Sequence, residues 1–265
     1  MDNIYVGRLM ALAKHLILLC VAIAGAAVAA PRAAQAQDSV PAGTVLPMRL
    51  DTPLSSRKSR PGEVITGRIM QDVPLESGLL IRSGARITGH VLDVSSAATG
   101  GHAKISLVFD AIKLHRSAIP VTTNLRALAS PLEIDDAQLP LYGGDRGTPS
   151  TAYTTVQVGG EVVYRGGGPV AHGEAAVGVP VPGGVLVALR AAEAKPCRGS
   201  IDGNNQPQAL WLFSSDACGV YGYAQVEITH AGRTKPVGQI VLSSTDGRDL
   251  IVRAGSGMLL RVNAR

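Results

Sequence analysis

The chain has 265 residues, is 46% hydrophobic but only 3% aromatic, and carries 25 Lys and Arg against 20 Asp and Glu, for a formal net charge of +5. That length accommodates one large β domain or two small ones around a real core, and a mild positive excess without long basic runs argues against nucleic-acid binding. Beyond the N-terminal apolar run, no segment approaches the length of a membrane span.

The N-terminus reads as an export signal. Arg8 and Lys14 precede an apolar run from Leu16 to about Ala30, and Ala34-Gln35-Ala36 puts small residues at the two positions that direct cleavage. Residues 1–36 are therefore expected to be a signal helix, and cleavage after Ala36 would leave 229 residues (265 minus 36). Losing Arg8, Lys14, Arg32 and Asp2 takes the net charge from +5 to +3. A retained anchor is the rival reading, but the run is short and rich in weakly apolar Ala. Cys20 follows Leu19 inside the run, not a small residue at its end, so lipidation is not expected. The expected location is periplasmic or extracellular, with outer-membrane association as one form of it.

After the leader, β-branched runs recur between Gly, Pro, Ser and Asp, and helix signals are scarce, which predicts a nearly all-β chain. An eleven-residue idiom occurs three times, as VPAGTVLPMRL from Val40, IRSGARITGHV from Ile81 and VRAGSGMLLRV from Val252. Each copy has Gly in fourth position (Gly43, Gly84, Gly255) and then alternates, so it predicts a tight turn at positive φ that launches a strand. The predicted buried faces are Leu46, Met48 and Leu50; Ile87, Gly89 and Val91; and Met258, Leu260 and Val262, with Arg49, His90 and Arg261 opposite. In Lys104–Leu114 the apolar parity switches between Phe109 and Ile112, which predicts a β-bulge near Asp110 or Ala111. Residues 131–150 lack any sustained period and read as a loop, and the Gly-rich stretch from Gly159 to Gly184 reads as long hairpin loops or a projection, with no phosphate-loop spacing.

Taken together, VPAGTVLPMRLDTPLSS, PGEVITGRIMQDV, LLIRSGARITGHV, KISLVFDAIKL and the late LIVRAGSGMLLRV resemble strands of the β-barrel domain of bacterial conjugal-transfer and type IV secretion channel-core proteins. The resemblance covers residues 40 to about 115 and about 249 to 263. It implies a barrel whose first and last strands meet, from residues 37–130 and 235–265, with 131–234 inserted as a Gly-rich, disulfide-bearing β lobe. That family carries a retained membrane helix and a membrane-crossing helical hairpin; this chain has a cleavable-type leader and a Gly-rich insert, so the channel role is not implied.

Cys197 and Cys218 are the cysteines left after the leader, and an even count in an exported chain predicts a disulfide. A metal pair is the alternative, but no His lies near either thiol. Ser55-Ser56-Arg57-Lys58 contains an SxxK string without the KTG or helical context of the enzymes that use it. His15, His90, His102, His115, His172 and His230 show no ligand spacing, although a site assembled in three dimensions stays open. Asp135-Asp136 reads as a solvated turn. Two features are candidates for binding. Arg57, Lys58 and Arg60 form the densest basic cluster, either a solvated loop or a contact for anionic envelope polymers or lipid head groups. Trp211, Phe213, Tyr221 and Tyr223 concentrate the scarce aromatics around Cys218, either as a small core on the disulfide or as an interaction patch.

The function these features suggest is that of an exported, non-catalytic β protein acting as an envelope-associated structural or assembly module. An envelope protein or polymer is its expected partner, and no cofactor, catalytic residue or metal ligand is assigned. A carbohydrate or small-ligand binding protein is the second reading and a hydrolase the third.

Overall fold

Strand-forming alternation accounts for most of the chain. The structure is a computed structural model that describes residues 39–75, 77–99, 101–114, 117–141, 153–191, 197, 206–233 and 236–264. The leader with its cleavage site and Cys20, together with His15, His115 and residues 142–150 of the expected loop, lies outside the described residues.

Among the described residues the first strands are β1 (Val45–Leu50), β2 (Leu54–Ser55), β3 (Val64–Ile69), β4 (Val73–Pro74), β5 (Leu80–Ile81), β6 (Arg86–Ser95), β7 (Lys104–Leu114), β8 (Ser117–Pro120) and β9 (Thr123–Ala129). A short helix, α1 (Pro131–Asp136), follows. Then come β10 (Thr154–Val156), β11 (Val162–Tyr164), β12 (Val170–His172), β13 (Ala175–Val181), β14 (Gly184–Val187) and β15 (Gln208–Ala209). The last are β16 (Gly219–Tyr221), β17 (Val226–Thr229), β18 (Ile240–Ser244), β19 (Ile251–Val252) and β20 (Gly257–Val262).

Ten strands make one sheet in the order β16-β9-β20-β1-β3-β6-β7-β18-β17, with β8 on β7. Its two ends, β16 and β17, are joined by residues 222–225, so the sheet curls back on itself into a nearly closed barrel. The strands β10 to β15, in chain order, form a second, antiparallel sheet that takes in the Gly-rich stretch as hairpins.

The repeated idiom does what its residues predict. Gly43, Gly84 and Gly255 sit at φ of 88, 86 and 87°, where a side chain is strained. The opening and closing copies fold onto each other: β1 pairs antiparallel with β20, Leu46 opposite Leu260 and Met48 opposite Met258. The Gly43 N–H donates to Val262 O at 2.8 Å and the Gly255 N–H to Leu50 O at 2.8 Å, so each turn seals the end of the other's strand. A Cβ at Gly84 meets nothing within 4 Å, so Gly84→Val isolates the backbone effect and is expected to destabilise by about 1 kcal/mol or more. Denaturant unfolding checks this, and an unchanged midpoint contradicts the role given to the turn.

The parity switch in β7 is a bulge. Thr88 pairs with Ala111 and Gly89 with Phe109, which leaves Asp110 as the extra residue. Ile105, Leu107, Phe109 and Ile112 consequently all reach the barrel interior at 0% exposure. That interior also holds Leu46, Met48, Ile65, Ile87, Met258 and Leu260.

Two expectations are corrected. Arg261 was expected on an open face but is buried, as are Val45 and Leu259. The reason is a second core outside the barrel wall, where Val45, Ala127, Ala129 and Leu259 pack with Val163, Val170, Val185 and Val187 of the second sheet. The strands β1, β9 and β20 are thus covered on both sides, and one-sided alternation fails there. Residues 131–136, expected as loop, are helical: Ser130 caps them by accepting from the Glu133 N–H, Pro131 occupies the first turn, and Ile134 is buried.

Cys197 and Cys218 form a disulfide with a Cα–Cα distance of 6.0 Å, and both are buried in the barrel core cluster. No helix among the described residues is long and apolar enough to cross a membrane.

Candidate functional site: a basic-rimmed groove at the barrel seam

Where the two ends of the large sheet approach each other, residues 222–226 and 249–253 enclose a groove of about 340 Å³. Tyr223, Ala224 and Gln225 line one side, and Asp249, Ile251 and Arg253 the other. Tyr223 packs its ring on the barrel core while its hydroxyl lies 2.7 Å from Ser256 Oγ and accepts from the Arg253 N–H at 3.1 Å. Its position is therefore fixed at both ends of the side chain.

The basic cluster belongs to this place. The strands β2 and β19 pair, Leu54 with Val252 and Ser55 with Ile251, and so carry the loop after Ser55 alongside the segment that forms the groove wall. Asp249 anchors the loop: its Oδ1 accepts from Ser56 Oγ at 3.0 Å and from the Ala97 N–H at 3.1 Å, and its Oδ2 lies 3.4 Å from Arg57 Nε. The Arg57 side chain keeps 72% of its surface in solvent, so this ion pair orients the loop more than it stabilises the fold. Lys58 and Arg60 are exposed on the same loop, and Arg248 and Arg253 are exposed on the groove segment. Of these cations Arg253 lines the groove itself, Arg57 reaches its wall through Asp249, and Arg248 adjoins that aspartate in the chain.

The four aromatics part company. Trp211 and Phe213 are buried in the core between barrel and second sheet. Tyr221 packs against that same core; burial pushes its phenol pKa up, and its hydroxyl accepts from the Cys218 N–H at 3.0 Å. Only Tyr223 of the four lines the groove. Asp249 thus links the groove that Tyr223 lines to the loop of Arg57, Lys58 and Arg60, a connection that residues so far apart in the chain do not announce.

A second groove, of about 520 Å³, lies between the layers and is lined by Thr44, Pro74, Leu75, Leu186, Gln206 and Gln208 among others. Away from both grooves, His172 meets Glu161 and Asp216. His172 was noted in the sequence only as an unpaired histidine. Its two acidic partners carried no signal, because only the meander of the second sheet and the turn after Phe213 bring them near. Comparison of the chain with protein-family models, with curated proteins and with solved structures finds no match in any of the three.

Proposed function

We propose that this is an exported, non-catalytic β protein of the cell envelope, a structural or assembly module whose seam groove and cationic rim contact an anionic envelope surface. The observation that carries the reading is that Arg253 lines a groove fixed by Tyr223 and that Arg57, on the exposed loop of Lys58 and Arg60, pairs with Asp249 of the groove wall. Exposed cations on a rigid concave edge attract polyanions at long range and lose that attraction as salt rises. The disulfide supports an extracytoplasmic setting, since disulfides persist where thiols are not kept reduced. The resemblance to the barrel of secretion channel-core proteins supports the fold part of the reading alone.

The test is co-sedimentation of the mature chain with vesicles containing anionic lipid and with isolated cell-wall polymer, in low and high salt. Wild type is expected to bind one of the two in low salt and to release in high salt. The combined Arg57→Glu, Lys58→Glu and Arg253→Glu variant is expected to bind at least about tenfold more weakly, since it reverses three rim charges. Binding that ignores both salt and the charge reversal removes the groove from the account.

The larger groove favours a second reading, a small-ligand or carbohydrate binding protein, because amide side chains beside apolar Pro74, Leu75 and Leu186 suit a sugar's mixed surface. Saturable oligosaccharide binding that Leu75→Arg abolishes and the rim variant leaves intact would move the assignment there.

A further inference from the structure

Glu161, at the hairpin turn before β11, His172, at the end of β12, and Asp216, in the turn after Phe213, each offer one ligand atom within 4.8 Å of the other two. We propose that they bind a divalent transition-metal ion, zinc foremost, through one imidazole nitrogen and two carboxylate oxygens. His172 Nδ1 lies 3.3 Å from Glu161 Oε1 and 4.0 Å from Asp216 Oδ2. A tetrahedral zinc ion with ligands at ~2.0–2.1 Å holds those ligands about 3.3 Å apart. The histidine and glutamate already stand at that separation, and Asp216 Oδ2 has about 0.7 Å to close toward His172 (4.0 minus 3.3 Å).

Charge points the same way. The Glu161 side chain has 0% exposure, so its carboxylate has left water, a cost that partners must offset. It accepts from the Ser215 N–H at 2.9 Å and from the Ser215 hydroxyl, both neutral groups. Asp216 Oδ1 is buried without a hydrogen-bond partner. Arg126 is close enough to feel Asp216, but its Nε and Nη2 donate to the backbone carbonyls of Ala217, Arg190 and Ser215. Arg126 thus offers Asp216 charge but no hydrogen bond, while the buried Glu161 carboxylate has neutral Ser215 donors and His172 beside it, a setting that a divalent ion suits.

The donor set selects the ion. One nitrogen and two carboxylates suit zinc or its first-row neighbours, while calcium asks for six to eight oxygens. Ser215, holding both carboxylate oxygens of Glu161, is the outer partner that orients a ligand. His172 and Asp216 retain 35% and 28% side-chain exposure, which gives the ion a path in and a solvent-facing position. Bound there, the ion ties the second sheet to the turn that leads into Cys218.

The experiment uses the untagged mature chain, stripped with chelator and titrated with Co²⁺ and then Zn²⁺. Expected are one equivalent of Co²⁺ with the visible absorption of a four-coordinate site, its displacement by Zn²⁺, and a rise in Tm with zinc. His172→Gln and Asp216→Asn are expected to weaken binding at least about tenfold, and Ser215→Ala by about 10–100-fold. Because His172 and Asp216 are partly exposed, their variants are expected to stay folded, which circular dichroism checks; the cobalt spectrum of wild type tests the site whatever the variants do. No cobalt uptake by wild type, or equal uptake by His172→Gln and Asp216→Asn, overturns the site and leaves a histidine–carboxylate contact of the fold.

Discussion

Replacing Gln71 by leucine is expected to destabilise the protein by about 2–6 kcal/mol, more than any surface change, because it strands two buried backbone donors at about 1–3 kcal/mol each. Gln71 follows β3 and has 0% exposure. Its Oε1 accepts from the Trp211 N–H at 2.7 Å and from the Val185 N–H at 3.2 Å, while its Nε2 donates to Val185 O at 2.7 Å. One side chain from the barrel thus closes three backbone valences of the outer layer. It also holds Trp211 at a φ of 53°, a conformation that costs a bulky residue about 1–3 kcal/mol and persists only when its surroundings impose it. Leucine keeps the volume and loses all three bonds. Denaturant unfolding of the two proteins reads the difference, and near-ultraviolet circular dichroism reports whether Trp211 loses its fixed setting. An unchanged unfolding midpoint contradicts the role of Gln71 as the joint between the layers.

Removing the disulfide is expected to cost about 3 kcal/mol, from the loop-closure entropy of a sequence separation of 21 residues. Cys197 and Cys218 are both buried, so reductant reaches the bond only when the surrounding core opens. Cys218 also heads the segment that supplies β16, one end of the large sheet, and its N–H is held by Tyr221. Loosening it therefore frees an edge of the barrel as well as a loop. Cys197→Ser with Cys218→Ser, compared with wild type by thermal unfolding, is expected to melt lower and to become independent of reductant. Equal melting of the two proteins contradicts this account of the staple.

Much of the barrel was legible because its signals are local. A glycine in fourth position followed by alternation needs only its own φ and its own pleat, and Gly43, Gly84 and Gly255 obey. The bulge at Asp110 was legible for the same reason, as a parity switch within one strand. The pairing of β1 with β20 came from the resemblance of the opening and closing idioms to barrel strands, not from any local rule. Burial of Arg261 was not legible, because it depends on which side of the barrel wall the second sheet covers. The helix at Pro131 carries a local signal too, Ser130 with Glu133 three residues on and Pro131 between them, within a stretch whose lack of a sustained period otherwise reads as loop.

The sites divide along the same line. The loop of Arg57, Lys58 and Arg60 stood out as a charge run, yet its place beside Tyr223 rests on Asp249, which no nearby residue marks. The aromatic cluster stood out by composition, but Trp211 and Phe213 serve the inter-layer core and leave only Tyr223 at the groove. Glu161 and Asp216 are ordinary acids in sequence, and only tertiary packing turns them toward His172.

The seam groove as the contact surface is most directly tested by placing a photo-crosslinking amino acid at Ala224, exposed within the groove, and at Val179, exposed on the second sheet, in cells making the full chain. The account predicts light-dependent adducts with an envelope component from position 224, lost when Arg57, Lys58 and Arg253 are reversed in charge, and none from position 179. Adducts from position 179 with none from position 224 would contradict it.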